Sequence, residues 1–471
     1  MRYPAVGGTR FRLYPSYAEG FAEPEVVELS LPAGTVRAGP SDHSMCVVNP
    51  VRKDVPYDPP HYVPPYRGPV YDPAAPGPDG HFDHIPTETE QFLAAHLYGT
   101  VRWTLDIWEH YLRRRVVWLD ADAHPRLELI PIVRWPNAQS GPGFLETGLK
   151  LNRMDQPQPF CLNYDVMAHE TGHAILFSQV GVPEIDQISV PFLAFHESFS
   201  DLVALIGVLH FDSVQTRLLE QTGGNLYVLN LVNRIGEISD TEQIRLADNL
   251  ATMDDVCGIT LAVDGTWIDQ TGQGRNQHAV AEPLTGAVFD IFVELYQDGL
   301  VRRGLIPPHS DPRGWTRAEV AASMDRVREE AAAAYSRFTQ GFYGALVEAR
   351  QVVGRCMAHV MLTVRPETLT FGRVAARFLE AAAALGQASI MWDLLENFLL
   401  REIDPRPFLT IAIPPGPHRR HPRLFPRPSE PRGRLGVLER PNPGPHCAGC
   451  GTRGLWSARR LMAHPHRMSA T

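Results

Sequence analysis

Long apolar runs are missing from this 471-residue chain. None approaches the roughly 20 residues needed to cross a bilayer, and the longest candidate, Leu202 to Phe211, is short enough for a buried helix. Cysteine is scarce as well. The six, at positions 46, 161, 257, 356, 447 and 450, are too few and too scattered for a disulfide framework. That agrees weakly with a reducing compartment. The opening Met1-Arg2-Tyr3-Pro4-Ala5-Val6-Gly7-Gly8 lacks the basic-then-apolar order of a secretory signal. The expectation is a cytoplasmic protein, with an unusual export route or a misplaced start as open alternatives. No internal repeat is present.

Positive charge is outweighed by negative over most of the chain. From Asp404 onward there are 12 arginines against three acids, a net +9. Set against the whole chain's −9, this leaves −18 on the preceding 403 residues. A body this acidic argues against nucleic acid as the main partner, since phosphate contacts need a basic face. No membrane partner is expected either, and oligomeric state is not legible.

What is present is the composition of an ordinary globular protein, 44% apolar and 21% charged, long enough for two or three domains. The 42 prolines are unevenly spread. Residues 1–86 read as an extended, β-rich arm. Within it Val26-Val27-Glu28-Leu29-Ser30-Leu31 alternates weakly, and residues 50–80 are too rich in Pro, Tyr and Asp for helix. A first lobe, 87–180, opens with a helix. There Thr87-Glu88-Thr89-Glu90 fits a capping box, and Leu93, Leu97, Val101, Leu105, Trp108 and Leu112 form one stripe. Residues 115–150 read as strands and turns, including 116–119 and 127–133. A mainly helical second lobe spans 181–403, with helices expected near 195–211, 283–298, 317–358 and 372–402. The tail, 404–471, holds 12 prolines up to Pro445 and few apolar residues, which predicts disorder.

The chemistry centres on His169-Glu170-Thr171-Gly172-His173. Positions i and i+4 share one helix face, so both imidazoles can reach one metal while Glu170 lies beside it as a general base. Val166, Met167, Ala168, Ala174, Ile175 and Leu176 favour the helix, and Gly181 with Pro183 stops it. Gly172 inside the motif costs some helix stability. Twenty-three residues on, His196-Glu197-Ser198-Phe199-Ser200-Asp201-Leu202 begins a second helix. Glu197 and Asp201 share a face of an otherwise apolar helix, a costly arrangement unless both have partners. A zinc ion for Glu197 and a ligand imidazole for Asp201 supply them. His169, His173 and Glu197 then form a two-His, one-carboxylate site with an open fourth position. Asp201 fixes a ligand ring from outside the coordination sphere.

HExxH followed by Glu-x-x-x-Asp resembles the thermolysin-like gluzincins, over roughly residues 91–300. The resemblance implies an α+β, two-lobed zincin fold with the zinc helix between the lobes, and a zinc-dependent endopeptidase acting on peptide or protein substrates. Asn137-Ala138 resembles the family's edge-strand segment that holds the substrate backbone. Tyr164-Asp165-Val166-Met167-Ala168 resembles the lead-in to its zinc helix. His278, before Leu284-Thr285-Gly286-Ala287, resembles its catalytic histidine, a donor to the oxyanion. The departures are specific. A loop at about 181–194 is longer. Gln139 and Ser140 replace the aromatics after Asn-Ala. Val208 replaces a calcium-binding acid, though Asp165 survives. No acid sits just before His278 to orient it, and Asn276 is the nearest polar candidate. The rival reading is a zinc-binding homologue that no longer cleaves. A second rival is the same scaffold acting on a non-peptide amide. Arg245 could contact a substrate carbonyl, though it reads more readily as a solvated arginine. Cys447 and Cys450, with His464 and His466, have zinc-knuckle spacing but read as incidental.

Overall fold

The structure is a computed structural model that describes residues 7–16, 23–151, 157–228, 230–239, 242–261, 267–269, 274–275, 277–313, 315 and 317–414. The tail from residue 415, with Cys447, Cys450, His464 and His466, lies outside the described residues, as do Asn276 and the side chain of Arg245.

The fold is α+β, with its small sheets concentrated toward the N-terminus and its helices toward the C-terminus. Strands β1 (Gly8–Leu13) and β2 (Glu25–Pro32) form an antiparallel ribbon. Their alternation places Phe11, Leu13, Val27 and Leu29 inside, against helix α1 (Glu90–Leu112). The cap of α1 is Thr89, two residues later than the sequence pattern suggested, and its hydroxyl accepts from the Phe92 amide. This helix is buried along most of its length, charged residues included. Arg102 bonds Asp106 and Glu109, and Asp106 also accepts from the Ser30 amide, so the inward charges are paired.

A four-stranded sheet runs in the order β3 (Met45–Val47), β4 (Leu127–Ile130), β6 (Phe144–Thr147), β5 (Ala138–Gly141). The first three strands are parallel, and β5 returns antiparallel along the edge. The Pro/Tyr-rich segment after β3 is fastened to this sheet by two buried carboxylates. Glu146 accepts from Lys53 Nζ (2.6 Å), the Tyr57 amide and Gln139 Nε2. Glu128 accepts from the Tyr57 hydroxyl and the Tyr66 amide. Residues 116–119, expected as a strand, are irregular. They follow Arg113 in a left-handed cap (φ 54°) and pair with no strand among the described residues. A short ribbon, β7 (Leu149–Leu151) with β8 (Pro157–Pro159), leads to the second half.

That half packs α2 (Tyr164–Gln179) against α3 (Val190–Val208), followed by α4 (Asp212–Thr222). The α3 helix starts five residues before its expected position because Ser189 caps it and Pro191 occupies the first turn, which shortens the preceding loop. By length and composition α3 could cross a membrane, but 89% of that window is buried inside the protein. A hairpin, β9 (Arg234–Ser239) and β10 (Glu242–Leu246), and a small meander, β11 (Thr260–Leu261), β12 (Trp267–Ile268) and β13 (Gly274–Arg275), lead into α5 (Gln277–Arg302). None of these strands was legible in the sequence. The α5 helix starts six residues before its expected position at 283 and runs through Pro283. Asn249 Nδ2 donates to the Glu282 carbonyl, and Arg401 grips Asn249 and Asp290 around that turn. Helix α6 (Arg317–Thr363) bends at the non-helical Phe338. The last expected helix is two, α7 (Phe371–Ala384) and α8 (Met391–Leu400). The chain beyond stays attached through residues 404–414. Arg377 donates to the Phe408 carbonyl, the Thr410 amide donates to Glu380, and Leu409, Ile411 and Ile413 pack on the core.

Candidate metal centre

The α2 helix is placed by its cap and its neighbours. Asn163 accepts from the Val166 amide, and the edge strand β5 packs on one side while α3 packs on another. Residues 167–176 are all buried, so this helix has no solvent face over the motif. Gly172 is the reason α2 and α3 lie so close. A Cβ there would sit 2.9 Å from the Ser200 Cα, a backbone atom that cannot swing aside.

The close crossing gathers the predicted ligands. One donor atom from each of His169, His173 and Glu197 lies within 4.8 Å of the other two, and all three residues are buried. His169 Nε2 and His173 Nε2 are 3.0 Å apart, and Glu197 Oε2 is 3.5 Å and 3.8 Å from them. A tetrahedral ion with bonds of ~2.0–2.1 Å holds its ligand atoms about 3.3 Å apart, so this triangle has the size of one coordination face. His169 Nδ1 is 2.8 Å from Asp201 Oδ1. That carboxylate keeps the proton on Nδ1 and leaves Nε2 as a bare lone pair facing its neighbour. Two imidazole nitrogens and a carboxylate converging in a buried site fit a divalent cation.

The electrostatics favour the same protonation states. Burial alone would raise the Glu197 carboxyl, but His278 beside it holds it well below the usual range. Burial pushes His173 well below the usual imidazole value. An ionised carboxylate and a neutral imidazole are the forms that bind metal.

Glu170, next to His169 in the chain, is 2% exposed. His278, the second residue of α5, reaches the cluster from the far side, its Nδ1 2.8 Å from Glu197 Oε2. Further along the same helix, the Thr285 hydroxyl donates to Ser198 Oγ on α3 and Arg401 bonds Asp290. Gly286 leaves room for Arg401, since a Cβ there would lie 2.5 Å from the guanidinium.

Asn137 and Ala138 stand at the start of β5, both buried. The Asn137 carbonyl accepts from the Gly148 amide, and its side chain accepts from the Ala138 amide. Gln139 turns to the sheet's opposite face and donates to Glu146 and the Tyr57 carbonyl, so its departure from the family pattern has a structural role.

Sequence reasoning passed over His196. Its ring lies parallel to the His173 ring, with centroids 5.8 Å apart and planes 6° apart, among Phe177, Phe192 and Phe195. A histidine in an apolar run immediately before a ligand was the available signal. Burial pushes it down to about 3, so the ring is neutral.

No family model and no curated protein matches the sequence. Among solved structures, the chain is similar to the precursor of protealysin, a metalloproteinase from Serratia proteamaculans, with 11% identity and a TM-score of 0.43. The match covers 76% of this chain and 86% of that one.

Proposed function

We propose that the chain is a zinc-dependent peptidase that cleaves internal peptide bonds. The observation that carries this reading is the converging triad of His169, His173 and Glu197, with Asp201 on the outer nitrogen of His169. The mixed nitrogen and oxygen donors suit zinc better than calcium or magnesium, which take oxygen ligands. A zinc ion held there would polarise the scissile carbonyl and lower the pKa of a water from its bulk value to about 7. Glu170 accepts that water's proton and returns it to the leaving amine. His278 donates to the oxyanion that forms. Its present contact with Glu197 keeps it within reach of the site. Strand β5 is a sheet edge beside α2, and an extended peptide can add to such an edge near Asn137 and Ala138. A peptide or protein is therefore the substrate, and the reading needs neither nucleic acid nor membrane.

The rival, a homologue that holds zinc without cleaving, is favoured by the internal bonding of Asn137 and Gln139, which leaves less of the edge for substrate. Metal analysis with cleavage of a mixed peptide library separates the two. The peptidase contains one zinc per chain and cuts within peptides, with activity abolished by a chelator and restored by zinc. One tightly bound zinc with no cleavage establishes the rival. No zinc overturns both.

A further inference from the structure

Among the described residues several buried side chains leave one polar atom unpaired, and His196 leaves both of its ring nitrogens so. It is 3% exposed and surrounded by aromatic rings, yet neither ring nitrogen has a hydrogen-bond partner among the described residues. A phenylalanine would fill such a place without leaving buried polar atoms unpaired. Local rules of this kind are broken mainly where function demands it. The neighbouring ring presents the complementary deficit. His173 Nδ1 is also buried and without a partner among the described residues. With His173 holding metal through Nε2, its Nδ1 must carry the proton and needs an acceptor. His169 has Asp201 for that purpose, and no carboxylate is placed equivalently for His173 among the described residues.

We propose that His196 is the positioning partner of His173, taking the Nδ1–H of that ligand ring on its bare nitrogen when metal binds. The inference rests on the metal-centre reading and deepens it. The two ligand imidazoles are oriented by different chemistry, a carboxylate behind one and a neutral imidazole behind the other. The rings already lie side by side and nearly parallel, so pairing needs a rotation within the aromatic pocket or one water between them. His196 touches neither substrate nor metal in this role. It sets the plane and basicity of the ring that does.

The test is zinc affinity by competition with a chromophoric chelator, which needs no substrate. His196→Phe preserves bulk and apolarity but removes the acceptor, and His196→Leu repeats this with a different shape. Both should bind zinc about 10–100-fold more weakly than the wild type. Melting of the chelator-treated proteins should be unchanged or higher, because the orphaned nitrogens are gone. His196→Gln restores an acceptor and should recover most of the affinity. A purely structural role would instead lower the melting temperature and leave affinity unchanged. Wild-type affinity in folded His196→Phe or His196→Leu overturns the inference while leaving the metal centre intact. A wild-type protein without zinc affinity removes the centre and the inference together.

Discussion

The 2.8 Å contact between His169 Nδ1 and Asp201 Oδ1 decides which nitrogen of a ligand ring is available. Asp201→Ala releases that ring, and zinc affinity measured by chelator competition should fall about 10–100-fold with the fold intact. Glu197→Ala should lower affinity further, because it deletes a ligand outright. His278→Ala should keep its zinc and lose roughly 10²–10³ in turnover, the usual cost of one oxyanion donor. Wild-type turnover in that variant would show that another group donates. At this scale the sequence was most informative. Residues four apart on a helix must share a face, so spacing alone pairs His169 with His173 and Glu197 with Asp201. His196 was not legible for the complementary reason. Its contact with His173 lies between helices and depends on how α2 crosses α3, which no spacing within one helix determines.

Among the elements, the α2–α3 crossing holds the ligands together, and Gly172 sets its closeness. Glycine to alanine inside a helix ordinarily gains about 1 kcal/mol. Here the added methyl would meet the Ser200 backbone, so Gly172→Ala should instead destabilise by about 1–3 kcal/mol and weaken zinc binding, measured by melting and chelator competition. A stabilised variant with wild-type affinity would contradict this account of the crossing. The arm is fastened differently. Lys53 and Glu146 are both buried, and burial pushes the amine down and the carboxyl up. Lys53→Met strands Glu146 and should cost about 3–5 kcal/mol. Lys53→Met with Glu146→Gln should recover part of that loss in the same melting measurement. The long helices were readable because apolar residues recur along them. The start of α5 was misplaced at Pro283 because the helix passes through that proline, and Asn249, remote in sequence, bonds the carbonyl just before it. The short strands after α4 had no alternation long enough to read.

Over the whole molecule, the fold's dependence on pH has a named contributor. His96 is fully buried, with Nε2 accepting from the Tyr14 amide and Nδ1 at the Cys161 carbonyl, so it links the N-terminal ribbon to the segment before α2. Burial pushes it down to about 4 from an ordinary 6.5. Between those values the unfolded chain holds more protons, so its stabilising contribution is complete above 6.5 and is lost as pH falls toward 4. The slope is about 1.4 kcal/mol per pH unit. His96→Gln should flatten the acid side of a melting-temperature profile recorded with chelator present. The boundary at residue 404 came from composition, which registers prolines and arginines but not the few apolar contacts that hold residues 404–414 to α7. Removing residues 415–471 should therefore leave zinc content and cleavage unchanged. The measurement that bears most directly on the central claim uses the intact chain and one atom's chemistry. Glu170→Gln replaces the base by an amide that cannot accept a proton at neutral pH, without touching a ligand. Bound zinc and peptide turnover should be measured on the same sample. The account predicts one zinc per chain with turnover collapsed; turnover preserved, or zinc lost with it, would contradict it.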